Sequence, residues 1–233
     1  MAHSISIMHE RPVAKQTGAG STTPRFLTCG VVAGPLFVVV ALVQVLTVPG
    51  FQITRHAISA LETGPLGGIQ IANFLVSGIL LVGYAAGVRR ALRGRRGGVW
   101  GPVLLGVCGL GFIGGALFHP DPGLGFPVGT PDVIPTTIST HALLHMLFGS
   151  LAFFALIAAC FVLARPFAAN HQRNQALILR AAGVIFAVGL VESFTGGPLG
   201  SLVLYVTASI ALVAIALAAR WLQSSTSVAP GAV

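Results

Sequence analysis

Apolar residues form six long runs along the chain, separated by shorter polar segments. A helix of about 20 predominantly apolar residues crosses the hydrocarbon core of a bilayer. The pattern therefore predicts an all-α polytopic membrane protein, a bundle of six transmembrane helices. The predicted spans are residues 26–48, 69–88, 99–118, 140–164, 181–194 and 202–219.

These runs divide the chain into three parts. Residues 26–222 form the predicted six-span membrane domain. Residues 1–25 are polar and lack an apolar period, which predicts a disordered cytoplasmic tail that includes His3 and His9. Residues 223–233 are predicted to form a short cytoplasmic C-terminal tail.

Composition agrees with a membrane location. Hydrophobic residues make up 55% of the chain, charged residues 8%, and the mean hydropathy is +0.90. A soluble domain carries roughly 25% charged residues, so the lipid bilayer is the expected surrounding. The net charge of +8 does not indicate nucleic-acid binding, because the basic residues cluster at the ends of the apolar runs.

The basic residues also predict the orientation. Twelve of the thirteen Lys and Arg residues lie on one side of the six spans, and only Arg55 lies on the other. Basic residues favour the cytoplasmic side of membrane proteins. Both termini are therefore expected in the cytoplasm. Four of the seven histidines and four of the five acids fall on the opposite, outer side.

The segment from 119 to 145 carries the densest candidate chemistry. It contains three histidines, two acids and five of the fourteen prolines, and it joins the third and fourth spans. His141 and His145 are four residues apart, so they share one face if they open the fourth helix. Two imidazoles at this spacing suit a shared metal ion.

The sequence accordingly predicts a metal site, with zinc as the candidate ion and His141, His145, His119 and His56 as candidate ligands. Asp121 is a candidate general base or ligand-orienting residue, and Ser59 a candidate donor to an oxyanion. Glu192 approaches the same side from the fifth span and is the third candidate catalytic residue.

Two further patterns bear on this side of the molecule. His56, Ser59 and Glu62 follow one another at intervals of three, which places them on one face of a short interfacial helix. Gln70, Asn73 and Ser77 form one stripe of the second span. Polar side chains within a span face the bundle interior or a wet cavity.

Other interpretations of the histidines remain open. The ring has an apolar body and a polar tip, so an interfacial histidine needs no ligand to explain it. Asp121 and Asp132 adjoin prolines and suit turns, and Glu192 suits an ion pair with Arg55. The alternatives are a hydrogen-bonded structural cluster, a metal site, and a proton- or substrate-handling site without metal.

Three segments carry a resemblance to a known family: GPLF at 34–37, RHAISALETGPLGGIQIANFLVSGILL at 55–81, and ALFHPDPGLGFPVGTP with STHALLHMLFGSLAFF between 116 and 154. The chain resembles the DUF998 family of bacterial integral membrane proteins. The resemblance implies a multi-pass protein of six or seven spans in the bacterial plasma (inner) membrane.

A second resemblance is confined to residue types. The CREST superfamily of membrane hydrolases, which includes the alkaline ceramidases, combines a serine, an aspartate and three histidines. Ser59, Asp121, His56 or His119, and the pair His141 and His145 are similar to that set. The paired histidines open the fourth span here and lie in the last span there.

The sequence as a whole favours a membrane protein with a polar site of His, Asp and Glu residues at its outer face. Its sharper prediction is a metal-dependent hydrolase that acts on a lipid-like or small-molecule substrate from the outer leaflet. The alternative is a non-catalytic small-molecule transporter or an accessory membrane protein. A polar cavity reaching the midplane along the stripe at Gln70 favours transport, and a cluster confined to the outer rim favours an enzyme.

Overall fold

The computed structural model describes residues 22–227, and the secondary-structure elements over that range are helices joined by loops. Six helices are long and apolar enough to cross a membrane, which confirms the six-span bundle. Their bounds are α1 Thr22–Thr47, α2 Gly67–Ala91, α3 Trp100–Leu117, α4 Thr140–Ala169, α5 Arg173–Ser193 and α6 Gly200–Ser227. A short 3-10 helix, named η1 here, covers Ile58–Thr63 between α1 and α2.

The boundaries differ from the predicted spans mainly at the polar ends. α1 begins within the predicted N-terminal tail, of which residues 1–21 lie outside the described residues together with His3 and His9. α5 begins at Arg173, and α6 continues past the predicted boundary at 222. A helix satisfies its backbone hydrogen bonds within its own segment, so it can extend beyond the end of the apolar run.

The helices pack in chain order around a closed ring. Each helix contacts the next, and α6 returns to contact α1, α2 and α4. Glycines allow the closest approaches: Gly34 of α1 lies against the Leu212 backbone of α6, and Gly111 of α3 lies against the Phe148 carbonyl of α4. Small residues serve this purpose in membrane helices, where lipid supplies no drive for apolar side chains to associate.

The polar stripe of α2 faces the bundle interior, as predicted. Gln70, Asn73 and Ser77 are all buried. Gln44 of α1 donates from Nε2 to Gln70 Oε1 at 2.7 Å, and Asn73 Nδ2 donates to the same oxygen at 3.2 Å and to Phe37 O at 3.1 Å. This network ties α1 to α2. Gln44 was not in the predicted stripe, because a single polar residue in α1 has no periodic partner.

The two ends of the helix bundle differ in the segments that connect the helices. The loop end carries residues 48–66, 118–139 and 194–199, and the arginine end carries the turns at 92–99 and 170–172. A small second core stabilises the loop end, formed by Val48, Phe51, Leu61 and Phe126. Phe126 comes from the loop between α3 and α4, so this core binds that loop onto the segment that contains η1.

Candidate functional site

The helix η1 presents Ser59 and Glu62 on one side. Side chains three residues apart eclipse one another in a 3-10 helix. Leu61 of η1 is buried in the second core against Phe126, which fixes the rotation of η1. The two polar residues therefore point away from that core and towards the membrane helices. His56 precedes η1 and does not share its face.

Gly67 holds η1 in position from the start of α2. A Cβ added to Gly67 would collide with the carbonyl oxygen of Glu62, whereas one added to Gly68 meets nothing within 4 Å. We expect Gly67→Ala to lower the free energy of unfolding by about 1–3 kcal/mol, the usual effect of overpacking, and to displace Glu62. Gly68→Ala is the matched control and should be neutral or slightly stabilising, since alanine favours helix.

Thermal unfolding of the two variants in detergent micelles checks this expectation. Equal melting temperatures for Gly67→Ala and Gly68→Ala would show that η1 is free to move away from α2, contrary to the contact described.

The carboxyl group of Glu62 is the most unusual group at the loop end. Its side chain is fully buried, with 0% exposure. Neither Oε1 nor Oε2 has a hydrogen-bond partner, and His145 Nδ1 lies 3.9 Å from Oε2. Burial raises the pKa of Glu62 from its ordinary value of 4.5 to about 8. At neutral pH this carboxyl group is therefore mostly uncharged.

His145 has a defined tautomer. Its Nδ1 lies 2.6 Å from Phe118 O. A carbonyl oxygen only accepts, so Nδ1 carries the proton and donates it. In the neutral ring, Nε2 then holds a lone pair that is able to accept a proton. The side chain is only 12% exposed, and the Phe74 ring packs edge-on against it.

An apolar cavity of about 420 Å³ lies beside His145 in the half of the bundle near the loop end. Its walls are mostly aromatic and aliphatic, with Phe37, Phe112 and Phe153 among them. η1 contributes Ser59 from the loop side, and α4 contributes His145. A size of this order is usual for pockets that hold small organic ligands. We call this space the central cavity.

An open groove of about 530 Å³, which we call the polar groove, lies on the loop end itself. It is lined by Glu62, His119, Asp121 and His141, among others. The rings of His119 and His141 stack, with centroids 5.1 Å apart. Glu62 thus borders the polar groove and His145 borders the central cavity. Because their side chains are adjacent, the pair Glu62 and His145 lies between the two spaces.

Asp121 anchors the start of α4. Its Oδ2 accepts a hydrogen bond from the Ser139 N–H at 2.8 Å, and Ser139 in turn caps α4 by accepting from the Ala142 N–H at 3.1 Å. Hydrogen bonding by the hydroxyl and the N–H of Ser139 lowers the pKa of Asp121. A carboxylate with a lowered pKa is a weak proton acceptor, and these contacts give Asp121 an architectural task.

His56 uses both ring nitrogens for backbone contacts. The Gln52 N–H donates to Nδ1 at 3.0 Å, so Nε2 carries the proton and donates to Leu124 O at 3.0 Å. The ring is buried between Phe51 and Phe126. His56 therefore holds the loop between α3 and α4 onto the first loop, and no lone pair is left for a metal.

The remaining predicted residue at the loop end is Glu192, near the end of α5. Its Oε2 is buried without a hydrogen-bond partner, and Gly197 of the following turn lies close to its Oε1. Arg55 does not pair with Glu192. It forms an ion pair with Asp132, whose pKa it lowers through hydrogen bonding and charge. After the hydrogen bond from His56 to Leu124 O, this ion pair is the second link between the loop that follows α1 and the loop between α3 and α4.

The histidines predicted as ligands thus fall into separate positions. His119 and His141 stack at the groove, His145 faces the central cavity, and His56 belongs to the second core. Within residues 22–227, no group of three or more His, Cys, Asp or Glu side chains is placed to hold one metal ion. In the positions described, these donors do not converge on a three-ligand zinc site.

Sequence reasoning noted the spacing of Ser59 and Glu62 but did not assign Glu62 a role. The interval of three residues was the available signal. What it could not supply was the burial of the carboxyl group, which depends on the docking of η1 against α2 and α4.

The comparison with known proteins rests on one family match. The model of the DUF998 family, described as a protein of unknown function, matches residues 31–222. No curated protein and no solved structure matches this chain. The matched range includes η1, the loop between α3 and α4, and His145, so the site described above lies within it. Since the match covers most of the chain, the protein belongs to the DUF998 family.

Proposed function

We propose that the protein is a membrane hydrolase that cleaves an ester or amide bond in a lipid-like molecule, with Ser59, His145 and Glu62 as its reacting and positioning groups. One observation carries the proposal. A fully buried carboxyl group without a hydrogen-bond partner lies 3.9 Å from a histidine, between an apolar cavity and a polar groove.

The shape and lining of the central cavity support the substrate class. Most of the lining is hydrophobic, so water in the cavity makes few favourable contacts. An apolar chain is therefore favoured there over water. The polar head of the same molecule would lie at the loop end, beside Ser59 and His145. A bond between chain and head would then be close to the two groups that border the cavity.

The chemistry follows the logic of a nucleophile and a base that is oriented by a third group, here Phe118 O. His145 Nε2 accepts the hydroxyl proton of Ser59 as Ser59 Oγ attacks the carbonyl carbon. The alcohol or amine leaves with that proton, and an acyl-serine remains. Water then attacks the acyl group, His145 again transfers the proton, and the products are a carboxylic acid and an alcohol or amine. Glu62, beside Nδ1, stabilises the imidazolium as a carboxylate.

This proposal assigns no step to a metal. His56 could bind zinc only by leaving one of its two backbone partners, whereas His145 keeps Nε2 free for a proton while Nδ1 bonds to Phe118 O. Zinc analysis of the purified protein distinguishes the two mechanisms, since only the metal mechanism needs stoichiometric zinc.

We also propose that the loop end faces the exterior of a bacterial plasma membrane. The support is the distribution of basic residues between 22 and 227, where only Arg55 lies at the loop end. In that orientation the substrate would come from the outer leaflet.

The polar stripe of α2 gives transport less support. Gln70 and Asn73 are buried, and both are hydrogen-bonded to α1. A conduction path along this stripe would have to break the bonds that hold α1 against α2.

Hydrolysis assays on protein in lipid nanodiscs test the proposed function. The substrates are chromogenic esters of short, medium and long fatty acids. We expect activity to increase with chain length and to fall by about 10²–10⁴-fold in His145→Asn, the usual contribution of acid–base catalysis. The control is His171→Asn at the arginine end, where His171 has a positive φ of 58° that asparagine tolerates.

Equal activity in the two histidine variants would contradict the role of His145. Activity that is independent of chain length would contradict the central cavity as the binding site.

A further inference from the structure

A second apolar space lies on the membrane-facing side of α6. It is a groove of about 600 Å³ between α1, α5 and α6, and we call it the lateral groove. Its lining includes Leu42 of α1, Ile178 of α5 and Val213 of α6, each at least 40% exposed. It is more open than the central cavity, and it lies within helices whose length and hydropathy suit the bilayer interior.

The medium around these helices identifies the occupant. In the hydrocarbon region an apolar groove is filled by acyl chains, because water is not present there to fill it. Ser209 is a polar residue in the groove wall, but its hydroxyl already donates to Tyr205 O of its own helix at 2.7 Å. It therefore needs no polar ligand as a partner.

Tyr205 connects the two spaces. It lines both the lateral groove and the central cavity. Its hydroxyl donates to Val38 O of α1 at 2.9 Å, which links α6 to α1 at the boundary between the two spaces. Below this point, towards the arginine end, Gly34 and Leu212 bring the same two helices into direct contact. The tyrosine thus bridges a gap that backbone packing closes elsewhere.

We propose that the lateral groove binds the acyl chain of a membrane lipid-like molecule, and that Tyr205 is a gate through which this chain passes into the central cavity. The proposal rests on the proposed function in one respect, since it takes the central cavity as the place where the chain is held. Rotation of one side chain, with loss of one hydrogen bond, would join the two spaces. The substrate would then remain in the bilayer until it reaches Ser59 and His145.

A photoreactive fatty acid tests the gate. Diazirine-bearing palmitic acid is mixed into phosphatidylcholine vesicles that contain the protein, and samples are irradiated at successive times. Mass spectrometry then locates the label at groove residues such as Ile178 and Val213, and at cavity residues such as Phe112 and Phe153. The measured quantity is the rate at which cavity labelling approaches its final level.

Tyr205→Phe removes the hydroxyl and keeps the ring. We expect it to accelerate cavity labelling by roughly three- to tenfold, the factor that corresponds to one hydrogen bond, while groove labelling stays unchanged. Tyr84→Phe is the matched control. Tyr84 also donates across helices to a backbone carbonyl, Ile215 O at 3.1 Å, but it lines neither space.

The other outcomes separate the two proposals. If the cavity is labelled at one rate in wild type, Tyr205→Phe and Tyr84→Phe, the gate is wrong and the cavity remains a lipid site. Labelling in the cavity without labelling in the lateral groove would favour entry elsewhere, at the polar groove or at the exposed cavity rim of Met146 and Phe154, and would overturn the inference. If no variant is labelled in the cavity, both the gate and the proposed function fail.

Discussion

Glu62→Gln is expected to lower kcat/KM by about 10²–10⁴-fold, a loss in the usual range for a group that assists proton transfer. Glutamine has nearly the same shape as glutamate, so the central cavity and η1 should keep their geometry. What it cannot do is carry the negative charge that stabilises the His145 imidazolium. The buried position of Glu62 makes this charge effective, because little water is present to screen it.

The dependence on pH separates this role from simple packing. The pKa of Glu62 is raised to about 8 by burial, so the carboxylate is the minor form at neutral pH. Activity of the wild type should therefore increase as the pH rises through 8 and level off above it. In Glu62→Gln that increase should be absent, since no carboxylate forms at this position.

Asp132→Asn is the control for charge at the same end of the molecule. Asp132 is exposed, pairs with Arg55 and lines neither the central cavity nor the polar groove. This variant should retain the activity and the pH profile of the wild type. A Glu62→Gln enzyme with the wild-type pH profile would show that another group titrates, and the role of Glu62 would have to be withdrawn.

The features that the sequence predicted well depend on local periodicity. The apolar runs gave six membrane helices, and the intervals of Gln70, Asn73 and Ser77 gave a stripe that the structure buries. His141 and His145 do open α4, with Ser139 as the N-cap. In each case one helix carries the whole signal, because residues three and four apart share a face.

The site could not be assembled in the same way, since its contacts join residues far apart in the chain. Arg55 pairs with Asp132 across 77 positions, and His56 meets Leu124 across 68. These contacts depend on Phe126 entering the second core, and no local pattern marks that event. Sequence reasoning grouped the four histidines by their side of the membrane, whereas in the structure His56 and His145 hydrogen-bond to backbone groups and His119 and His141 stack on each other.

The same second core explains why the carboxyl group of Glu62 is buried. Leu61 and Glu62 are neighbours with opposite surroundings: Leu61 contacts the second core, and Glu62 lies against α2 and α4. Once Leu61 is fixed, the carboxyl group of Glu62 has to be buried. A buried acid without a hydrogen bond destabilises the fold when it ionises.

Stability should therefore fall as the pH rises, in the opposite sense to most carboxylates. The folded-state pKa of about 8 lies above the ordinary 4.5, so between these values the unfolded chain releases a proton that the folded chain keeps. The contribution of Glu62 to the free energy of unfolding should be greatest below pH 4.5 and should decrease by about 1.4 kcal/mol per pH unit up to pH 8, about 4–5 kcal/mol in all. Glu62→Gln should remove this slope and be the more stable protein above pH 8.

Asp132→Asn should leave the slope in place, because the pKa of Asp132 is lowered and its titration lies below this range. Titration with sodium dodecyl sulfate in mixed micelles at several pH values measures these free energies, and a wild-type stability that is flat between pH 5 and 8 would place the Glu62 carboxyl group in contact with water.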